Sequence, residues 1–371
     1  MPAKGNSPIK IDRLNRLLKL YPNRTTATRL KMGFEAGFRL GYEGPRQAFS
    51  CANMKSIEEN LEVARQKIEK EVNLGRVAGP FDTPPFSNLR CSPLALIPKT
   101  EAGKFRLIHH LSFPEGDSVN DHISDNNARV QYTKFDEAVA MIAKFGKNAL
   151  VAKADISEAF RLLPVNKLDF DLLGFTLEGK FYVDLCAPMG CRSSPRTWES
   201  FSTFLNWVLD KWNKRSNTKH YVDDFLFAGP ANSQICQQAL TFFLQLCKYL
   251  GIPVAEEKTI MPCKKIVFLG LEIDTELQRV RIPVQKLTEC KECLKDALRK
   301  NHLTFRELQS LLGYLNFLCR AVSGGRAFLQ RLVALTRGKS RNSKRQKIRL
   351  SGDAKADILT WINVNKFRGE F

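Results

Sequence analysis

The sequence has no uninterrupted apolar run that approaches the roughly 20 residues a membrane-spanning helix needs. Residues 1–5 also lack the apolar core of a signal peptide. From these two absences we expect a protein that does not cross a membrane and that works inside the cell, in the nucleus or the cytoplasm.

The cysteines lack any regular spacing. Ten are scattered along 371 residues, and their intervals form no disulfide framework. In a chain of this length such scatter indicates a reducing compartment with mostly buried thiols. Cys290 and Cys293 form a single CxxC pair in helix-like sequence, but no second Cys or His pair follows at zinc spacing. We therefore interpret the pair as a chance occurrence rather than a zinc site.

Acidic residues are outnumbered by basic ones. The chain contains 58 Lys and Arg against 38 Asp and Glu, a formal net charge of +20. This surplus favours a polyanionic partner, with nucleic acid ahead of a membrane surface. The chain is also 43% hydrophobic with 25 Phe, which indicates a folded protein of two or three subdomains.

Two adjacent carboxylates, Asp223 and Asp224, stand in an apolar stretch. Tyr221 and Val222 precede them and the apolar run 225–229 follows, so the pair is predicted at the turn of a β-hairpin. Carboxylates in such surroundings are costly to desolvate unless a cation compensates them, and their oxygens suit Mg²⁺ or Mn²⁺. The alternative is an exposed Asp-Asp turn, for which Asp is a favourable residue.

A further carboxylate, Asp155, ends a predicted strand that begins near Leu150. The following turn has small side chains, and its backbone N–H groups could approach a phosphate. Phe160 would close one side of that pocket; alternatively, Phe160 is a core residue. Together the three aspartates could hold two metal ions roughly 3.5–4 Å apart, the arrangement used for in-line phosphoryl transfer.

Basic residues that could bind phosphate lie on either side of these carboxylates. Residues 91–112 predict a β-hairpin with arms at 94–99 and 104–109 and its turn at 100–103. The hairpin would carry Lys99 and Arg106 on facing strands, although both could simply be solvated. Lys258 lies in a polar loop. His109 and His110 would point to opposite faces of a strand, which favours structural roles over a shared metal.

Other segments predict the framework. The glycine-containing loop 188–195 opens a long helix and could let a base approach the backbone, or it is an ordinary helix entry. Residues 266–273 predict one strand that contains a glycine, and the prolines in 79–88 predict an irregular connector. From about residue 284 the pattern predicts a separate all-helical unit. Residues 337–349, seven of which are Lys or Arg, are interpreted as a linker, a nucleic-acid contact or a nuclear-import signal.

Taken together over about residues 80–275, these motifs resemble the reverse transcriptases. Residues 221–224 look like the family's YxDD box, and residues 155–160 look like its first carboxylate motif. The resemblance implies an α+β right-hand polymerase with fingers, a palm with an antiparallel sheet and a helical thumb. It also implies that Asp155, Asp223 and Asp224 are catalytic and, with Ile156, bind two Mg²⁺ ions, for which Mn²⁺ could substitute.

The same resemblance implies further roles. Lys258 is the expected general acid for pyrophosphate, and Phe160 is the expected steric gate that selects dNTPs over rNTPs. Met189 stands where many retroviral relatives have Gln, which removes a polar contact and puts sugar recognition in question. The implied dNTP-binding residues are Lys99, Arg106, Ile156, Ser157, Glu158, Ala159, Phe160, Met189 and Gly190, and the implied primer grip is Phe268, Leu269 and Gly270.

The resemblance also implies a domain order. Residues 1–78 would form a helical leader that braces the fingers, 79–282 the interleaved fingers and palm, 283–337 the thumb, and 338–371 a basic linker and the start of a connection. Because the sequence stops after that lead-in, no RNase H activity is expected. Phrases at 105–112, 118–121 and 190–194 resemble LTR-type elements, most closely the DIRS-like tyrosine-recombinase group.

The expected function is therefore RNA-directed DNA synthesis in retrotransposon replication. Its expected partners are an RNA or DNA template with primer and dNTPs, with the RNase H and recombinase parts of the same element as further candidates. One alternative is a catalytically inactive, retroelement-derived nucleic-acid-binding protein. An RNA-templated RNA polymerase is disfavoured by Phe160, and a structural or membrane-associated role explains the charge but none of the motifs.

Overall fold

The computed structural model describes residues 1–99, 101, 103–213, 217–322, 324–338, 346–363 and 369–370. It combines α-helices with antiparallel sheets, so the predicted α+β class is confirmed. Within these ranges no helix is both long and apolar enough to cross a membrane. All ten cysteines fall inside the described ranges and are free thiols.

Helix boundaries follow local sequence signals. Thr304 caps the helix Phe305–Leu318 and forms the predicted capping box with Glu307. Gly251, at φ 78°, follows the helix Ile235–Leu250. The α-helices of the described residues are α1 Ile11–Leu18, α2 Arg24–Ala36, α3 Lys55–Glu58, α4 Leu61–Asn73, α5 Asp125–Ala128, α6 Phe135–Ala143, α7 Ser194–Asn213, α8 Ile235–Leu250, α9 Val284–Lys300, α10 Phe305–Leu318, α11 Gln330–Ala334 and α12 Gly352–Ile362.

The strands are short and form five small sheets among the described residues. They are β1 Val77–Phe81, β2 Leu94–Pro98, β3 Phe105–His109, β4 Leu150–Asp155, β5 Gly174–Leu177, β6 Lys180–Asp184, β7 Thr218–Tyr221, β8 Asp224–Gly229, β9 Ile260–Cys263, β10 Lys265–Phe268, β11 Leu271–Asp274, β12 Arg279–Arg281, β13 His302–Thr304, β14 Lys347–Arg349 and β15 Gly369–Glu370. The strand orders are β1-β6-β5, β2-β3, β7-β8-β4-β9, β10-β11-β12-β15 and β13-β14. In the described part of the chain, four 3₁₀ turns lie at Ala159–Leu162, Lys167–Leu172, Glu256–Lys258 and Gly325–Leu329.

The chain divides into two compact units, each built from separate stretches of sequence. The first unit contains residues 1–133, 153–225 and 239–259, and the second contains residues 134–152, 226–238 and 260–371. In the second unit, α9, α10 and α12 bury Leu294, Leu315 and Trp361 in one apolar cluster. The predicted domain boundaries after residues 78, 282 and 337 stay predictions.

The predicted hairpin over residues 94–109 is confirmed. Strands β2 and β3 pair antiparallel, with Ile97 directly opposite Arg106. The buried face of the hairpin carries Leu94 and Leu96, which join Ala64 and Ile68 of α4 in one apolar cluster. This burial holds α4 against the hairpin. Thr100 and Ala102 of the predicted turn lie outside the described residues.

Two predictions about strands are wrong. Residues 266–273 form not one strand but the hairpin β10–β11, because Leu269 and Gly270 both adopt positive φ, 46° and 79°, and close a two-residue turn. The proline-rich stretch 79–88 was expected to be irregular, yet β1 includes Pro80. Proline is tolerated there because β1 is an edge strand and its pairing with β6 shifts register between Ala78 and Phe81.

The prediction of an all-helical unit from residue 284 is also wrong. Strand β13 pairs with β14, whose residues come from the basic segment 337–349. Each of these strands has only three residues and its partner is distant in sequence, so neither gives an alternating pattern long enough to predict a strand. Residues 339–345 of the segment, and residues 364–368 and 371 of the predicted connection, lie outside the described residues.

Candidate active site

The Asp223–Asp224 pair lies where the sequence predicts it, at the turn between β7 and β8. Val222 adopts a φ of 57°, which is unfavourable for a β-branched residue. The indole Nε1 of Trp198 and the hydroxyl of Ser202, both on α7, donate hydrogen bonds of 2.8 and 2.9 Å to the Val222 carbonyl. Helix α7 therefore fixes a strained turn that the strands alone would not hold.

Asp155 ends β4, as predicted, and is held beside the turn by backbone hydrogen bonds. The N–H of Ile156 donates to the Asp223 carbonyl at 3.0 Å, and the N–H of Ala255 donates to the Asp155 carbonyl at 2.8 Å. Asp155 is buried, with 7% of the residue's surface exposed. These two hydrogen bonds join the end of β4, the turn at Asp223 and the loop at Ala255.

Two lysines neutralise this acidic group. Lys258, in the 3₁₀ turn Glu256–Lys258, places Nζ 2.9 Å from Asp155 Oδ1. Lys153 places Nζ 3.4 Å from Asp224 Oδ1. Lys258 was expected at the site, but Lys153 was not. The sequence could have indicated Lys153, because residues 153 and 155 share one face of a strand.

Burial and mutual repulsion raise the pKa values of the paired carboxyls. Burial, reinforced by Asp155 and Asp224, raises the pKa of Asp223 to about 6. Burial also raises the pKa of Asp224, although Lys153 opposes the rise. Burial alone would lower the pKa of Lys258, but Asp155 and the two neighbouring aspartates raise it on balance. A cation at the site would relieve the cost of ionising both turn carboxyls together.

The aspartates fit a divalent cation by donor chemistry and by charge. Within the described chain no three His, Cys, Asp or Glu side chains already form a metal-ligand cluster. Asp224 Oδ1 is buried, and its ion pair with Lys153 Nζ at 3.4 Å does not meet hydrogen-bond geometry. A divalent cation could add to that pairing, because carboxylate oxygens are the ligands preferred by Mg²⁺. The ammonium groups of Lys153 and Lys258 supply part of the positive charge at the site.

The predicted nucleotide-binding residues in the turn after Asp155 differ in how far they are exposed. Ile156 and Ala159 are buried, whereas Ser157 and Phe160 are only partly buried. Phe160 is therefore not a core residue. Glu158, at φ 51°, turns its carboxylate to Lys70 and Arg76.

The hairpin β2–β3 exposes its predicted phosphate ligands. Lys99 and Arg106 are both exposed, and strand alternation puts them on one face, since Arg106 pairs with Ile97 and Lys99 follows two residues later. Lys67 of α4 is a further cation of this region that the sequence patterns did not indicate. Burial, together with the nearby charges of Lys99 and Lys70, lowers the pKa of Lys67.

The loop that contains Met189 and Gly190 is bonded to β3. The N–H of His109 donates to the Met189 carbonyl at 2.9 Å, and the Asn120 side chain donates to the Gly190 carbonyl at 2.7 Å. Gly190 has a φ of 121°, and a Cβ there would lie 2.0 Å from the His109 carbonyl oxygen. This position therefore requires glycine. Asn120 positions the loop, a role that its sequence context does not indicate.

The predicted primer-grip residues lie in the second unit. Phe268 is fully buried, whereas Leu269 and Gly270 form the partly exposed turn of the hairpin β10–β11.

In the first unit, Tyr221 contacts Tyr132, a residue without a predicted role. The two rings pack with centroids 5.0 Å apart.

The chain is similar to a known protein family and to several viral proteins. A family model described as reverse transcriptase (RNA-dependent DNA polymerase) matches residues 97–273. The Gag-Pro-Pol polyprotein of human T-cell leukemia virus 2 is 24% identical over 295 residues, which are 76% of this chain and 18% of the polyprotein. Protein P of duck hepatitis B virus is 29% identical over 185 residues, which are 48% of this chain and 21% of Protein P. The chain thus spans about a fifth of the length of these two curated relatives.

A solved structure shows the same fold. The foamy viral protease-reverse transcriptase dRH in complex with double-stranded DNA matches with a TM-score of 0.65 and 18% identity. The match covers 100% of this chain and 62% of that one. The predicted α+β polymerase fold is confirmed.

Proposed function

We propose that this protein is an RNA-directed DNA polymerase, a nucleotidyltransferase that extends a primer with dNTPs, because a reverse transcriptase family model matches residues 97–273. One observation carries the proposal. The backbone and Lys258 bring Asp155 together with the strained turn that holds Asp223 and Asp224. Buried carboxylates that repel one another destabilise the folded protein unless a cation binds them. Such a group of carboxylates is typical of a functional site.

Asp155, Asp223 and Asp224 would hold the divalent ions, and Mg²⁺ is the ion we propose. Bound there, such ions would supply charge neutralisation and Lewis acidity for in-line attack of a primer 3′-hydroxyl. The chain's own contribution is to position these carboxylates before substrate arrives, because Val222 is held by α7 and Asp155 by backbone bonds.

The cations nearby would act on the triphosphate. Lys99 and Arg106 present exposed positive charge on one hairpin face and would hold phosphate oxygens. Lys258 keeps its proton at Nζ while paired with Asp155 and would donate it to the leaving pyrophosphate. The lack of a side chain at Gly190 lets its loop lie close to the His109 carbonyl, and the loop held there would pack against the incoming base.

Phe160 would discriminate between sugars. Its ring is partly exposed in the turn that follows Asp155, where it could contact a bound nucleotide. An aromatic ring at that point would clash with a ribose 2′-hydroxyl, which supports the use of dNTPs.

We further propose a retroelement origin, of LTR type and DIRS-like, for this polymerase. The support is the set of short phrases at 105–112, 118–121 and 190–194. Template and primer would bind largely through phosphates, as the net charge of +20 favours.

Primer extension on an RNA template tests the proposal. The assay compares dNTPs with rNTPs in Mg²⁺ or Mn²⁺, for the wild type and for Asp223→Asn. Asp210→Asn is a matched control, since burial also raises the pKa of Asp210 to about 6 but α7 places it outside the acidic group. Extension with dNTPs that disappears only in Asp223→Asn supports the proposal. Template binding without incorporation of either nucleotide would instead identify the inactive binding protein.

A further inference from the structure

The turn that carries Phe160 is fixed by the residues on either side of it. Residues 159–162 form one 3₁₀ turn, in which positions three apart lie above one another. Ala159 and Leu162 share the buried face of that turn. The side chains of Phe160 and Arg161 leave the turn in the other two directions. Because both belong to one short turn, a rotation of the turn that moves Arg161 would also redirect the Phe160 ring.

Arg161 is held by a buried ion network. Its guanidinium donates to Glu71 at 2.7 Å and to Asp184 at 2.7 Å, and only 12% of its side chain is exposed. Asp184 is also bonded to His109 Nδ1 at 2.9 Å. Burial alone would lower the pKa of Arg161, but Asp184 and Glu71 raise it above its usual range, so the Arg161 guanidinium stays charged.

The other side of the turn is bonded to the same helix region. Glu158, two residues before Phe160, forms ion pairs with Lys70 of α4 and with Arg76, which follows that helix. Arg76 is itself buried, and 7% of its side chain is exposed. Helix α4 and the residues after it therefore hold the turn at both ends.

Helix α4 has a second partner, the hairpin that carries Lys99 and Arg106. Ala64 and Ile68 of α4 share an apolar cluster with Leu94 and Leu96 of that hairpin. One helix thus contacts both the hairpin that carries the proposed triphosphate ligands and the two residues, Glu158 and Arg161, that flank the proposed sugar gate. Nothing in its sequence signals this, because Glu71 and Lys70 resemble ordinary solvated helix charges.

We propose that α4 positions the Phe160 ring through the Glu71–Arg161 pair, and so sets the preference of the site for deoxyribonucleotides over ribonucleotides. The inference rests on the proposed polymerase function and makes Glu71 and Arg161 positioning residues rather than catalytic ones. A gate rejects a 2′-hydroxyl only while its ring cannot retreat. Loosening Arg161 frees the turn and lets the ring move away from the ribose.

The test measures kcat/KM for a dNTP and for the matching rNTP on one RNA template with a DNA primer. Glu71→Gln is expected to lower the dNTP-to-rNTP ratio on the order of tenfold, since small misplacements of a positioning group have effects of that size or more. Glu71→Asp, which keeps the charge, is expected to retain part of the ratio. Arg65→Gln is the matched control, because it removes an ion pair between α4 and Glu178 without touching the Phe160 turn.

A double-mutant comparison separates positioning from general destabilisation. In a Phe160→Ala background the gate is gone, so adding Glu71→Gln should leave the ratio unchanged. An unchanged ratio in Glu71→Gln alone, or an equal fall in Arg65→Gln, would overturn the inference. A further fall in the double mutant would also overturn it. Failure of the proposed function itself is distinct, since wild-type protein would then incorporate no dNTP at all.

A second readout does not require turnover. With a dideoxy-terminated primer, the complex of protein, template and primer is titrated with the next complementary dNTP or rNTP. Glu71→Gln should tighten rNTP binding relative to dNTP binding, and unchanged relative affinities would contradict the proposed positioning.

Discussion

Lys258 Nζ lies 2.9 Å from Asp155 Oδ1, although 103 residues separate them in sequence. The pair is partly solvated, since 56% of the Lys258 side chain is exposed. The contact leaves the ammonium group accessible and keeps its proton next to the carboxylate that begins the acidic group. A general acid for a leaving phosphate needs both properties.

Lys258→Ala is expected to lower kcat by about 10²-fold, the usual contribution of one general acid, with little change in template binding. Lys258→Arg is the informative companion. Arginine keeps the positive charge beside Asp155 but does not release a proton at usable pH, so kcat should stay low. Single-turnover extension rates measure the effect. Full recovery in Lys258→Arg would assign Lys258 an electrostatic role instead.

Asp223→Asn is expected to stabilise the metal-free protein while it abolishes extension. Burial and the neighbouring carboxylates raise the Asp223 pKa from 3.8 to about 6, so the folded state binds a proton more tightly than the unfolded state. The wild type therefore loses stability as pH rises from about 4 through 6, on the order of 2 kcal/mol above that range. Urea unfolding in EDTA at pH 5 and pH 7.5 measures this. Asp210→Asn should show a similar gain but retain activity, and a pH-independent stability difference would contradict the prediction.

Gly190→Ala is expected to weaken both the loop and nucleotide binding. A Cβ would lie 2.0 Å from the His109 carbonyl oxygen, and the φ of 121° is strained for any other residue. Distortion there should cost about 1–3 kcal/mol of unfolding free energy and raise the KM for dNTPs. Thermal unfolding and KM are measured together. Gly116→Ala is the matched control, because Gly116 also has a positive φ, 88°, but no atom lies within 4 Å of its Cβ position.

Thr304→Ala is expected to destabilise the second unit by about 1 kcal/mol through loss of the capping box at α10. The backbone N–H and hydroxyl of Thr304 lower the Glu307 pKa from 4.5 to about 2. The carboxylate's contribution is therefore present above pH 4.5 and is lost as pH falls toward 2. Urea unfolding between pH 3 and pH 6 should show a smaller difference between wild type and Thr304→Ala at the lower pH.

Affinity for primer–template is expected to fall steeply with salt. If the +20 chain binds mainly phosphates, the logarithm of the association constant falls linearly with the logarithm of salt concentration. Between about 50 and 200 mM salt we expect a loss of at least about 10²-fold. Fluorescence anisotropy with a labelled duplex measures it, and a salt-insensitive affinity would count against phosphate-dominated binding.

Local patterns predicted the parts of the site that depend on neighbouring residues. The turn at Asp223, the strand end at Asp155 and the hairpin with Lys99 and Arg106 each follow from a few adjacent residues. What sequence patterns missed depends on contacts between distant residues. The pairing of β13 with β14 and the bond between Glu71 and Arg161 have no local signature. The turn at Leu269 was missed because leucine rarely adopts a positive φ.

The strained Val222 has a consequence for how this site can vary. Helix α7 holds the carbonyl of residue 222 rather than its side chain, so these two hydrogen bonds can form whichever side chain stands between Tyr221 and Asp223. Substitutions at 222 can therefore alter what the partly exposed turn presents to its surroundings while the carboxylates stay in place. The two adjacent carboxylates are thus anchored through the main chain, and Trp198 and Ser202 are the side chains that provide the anchor.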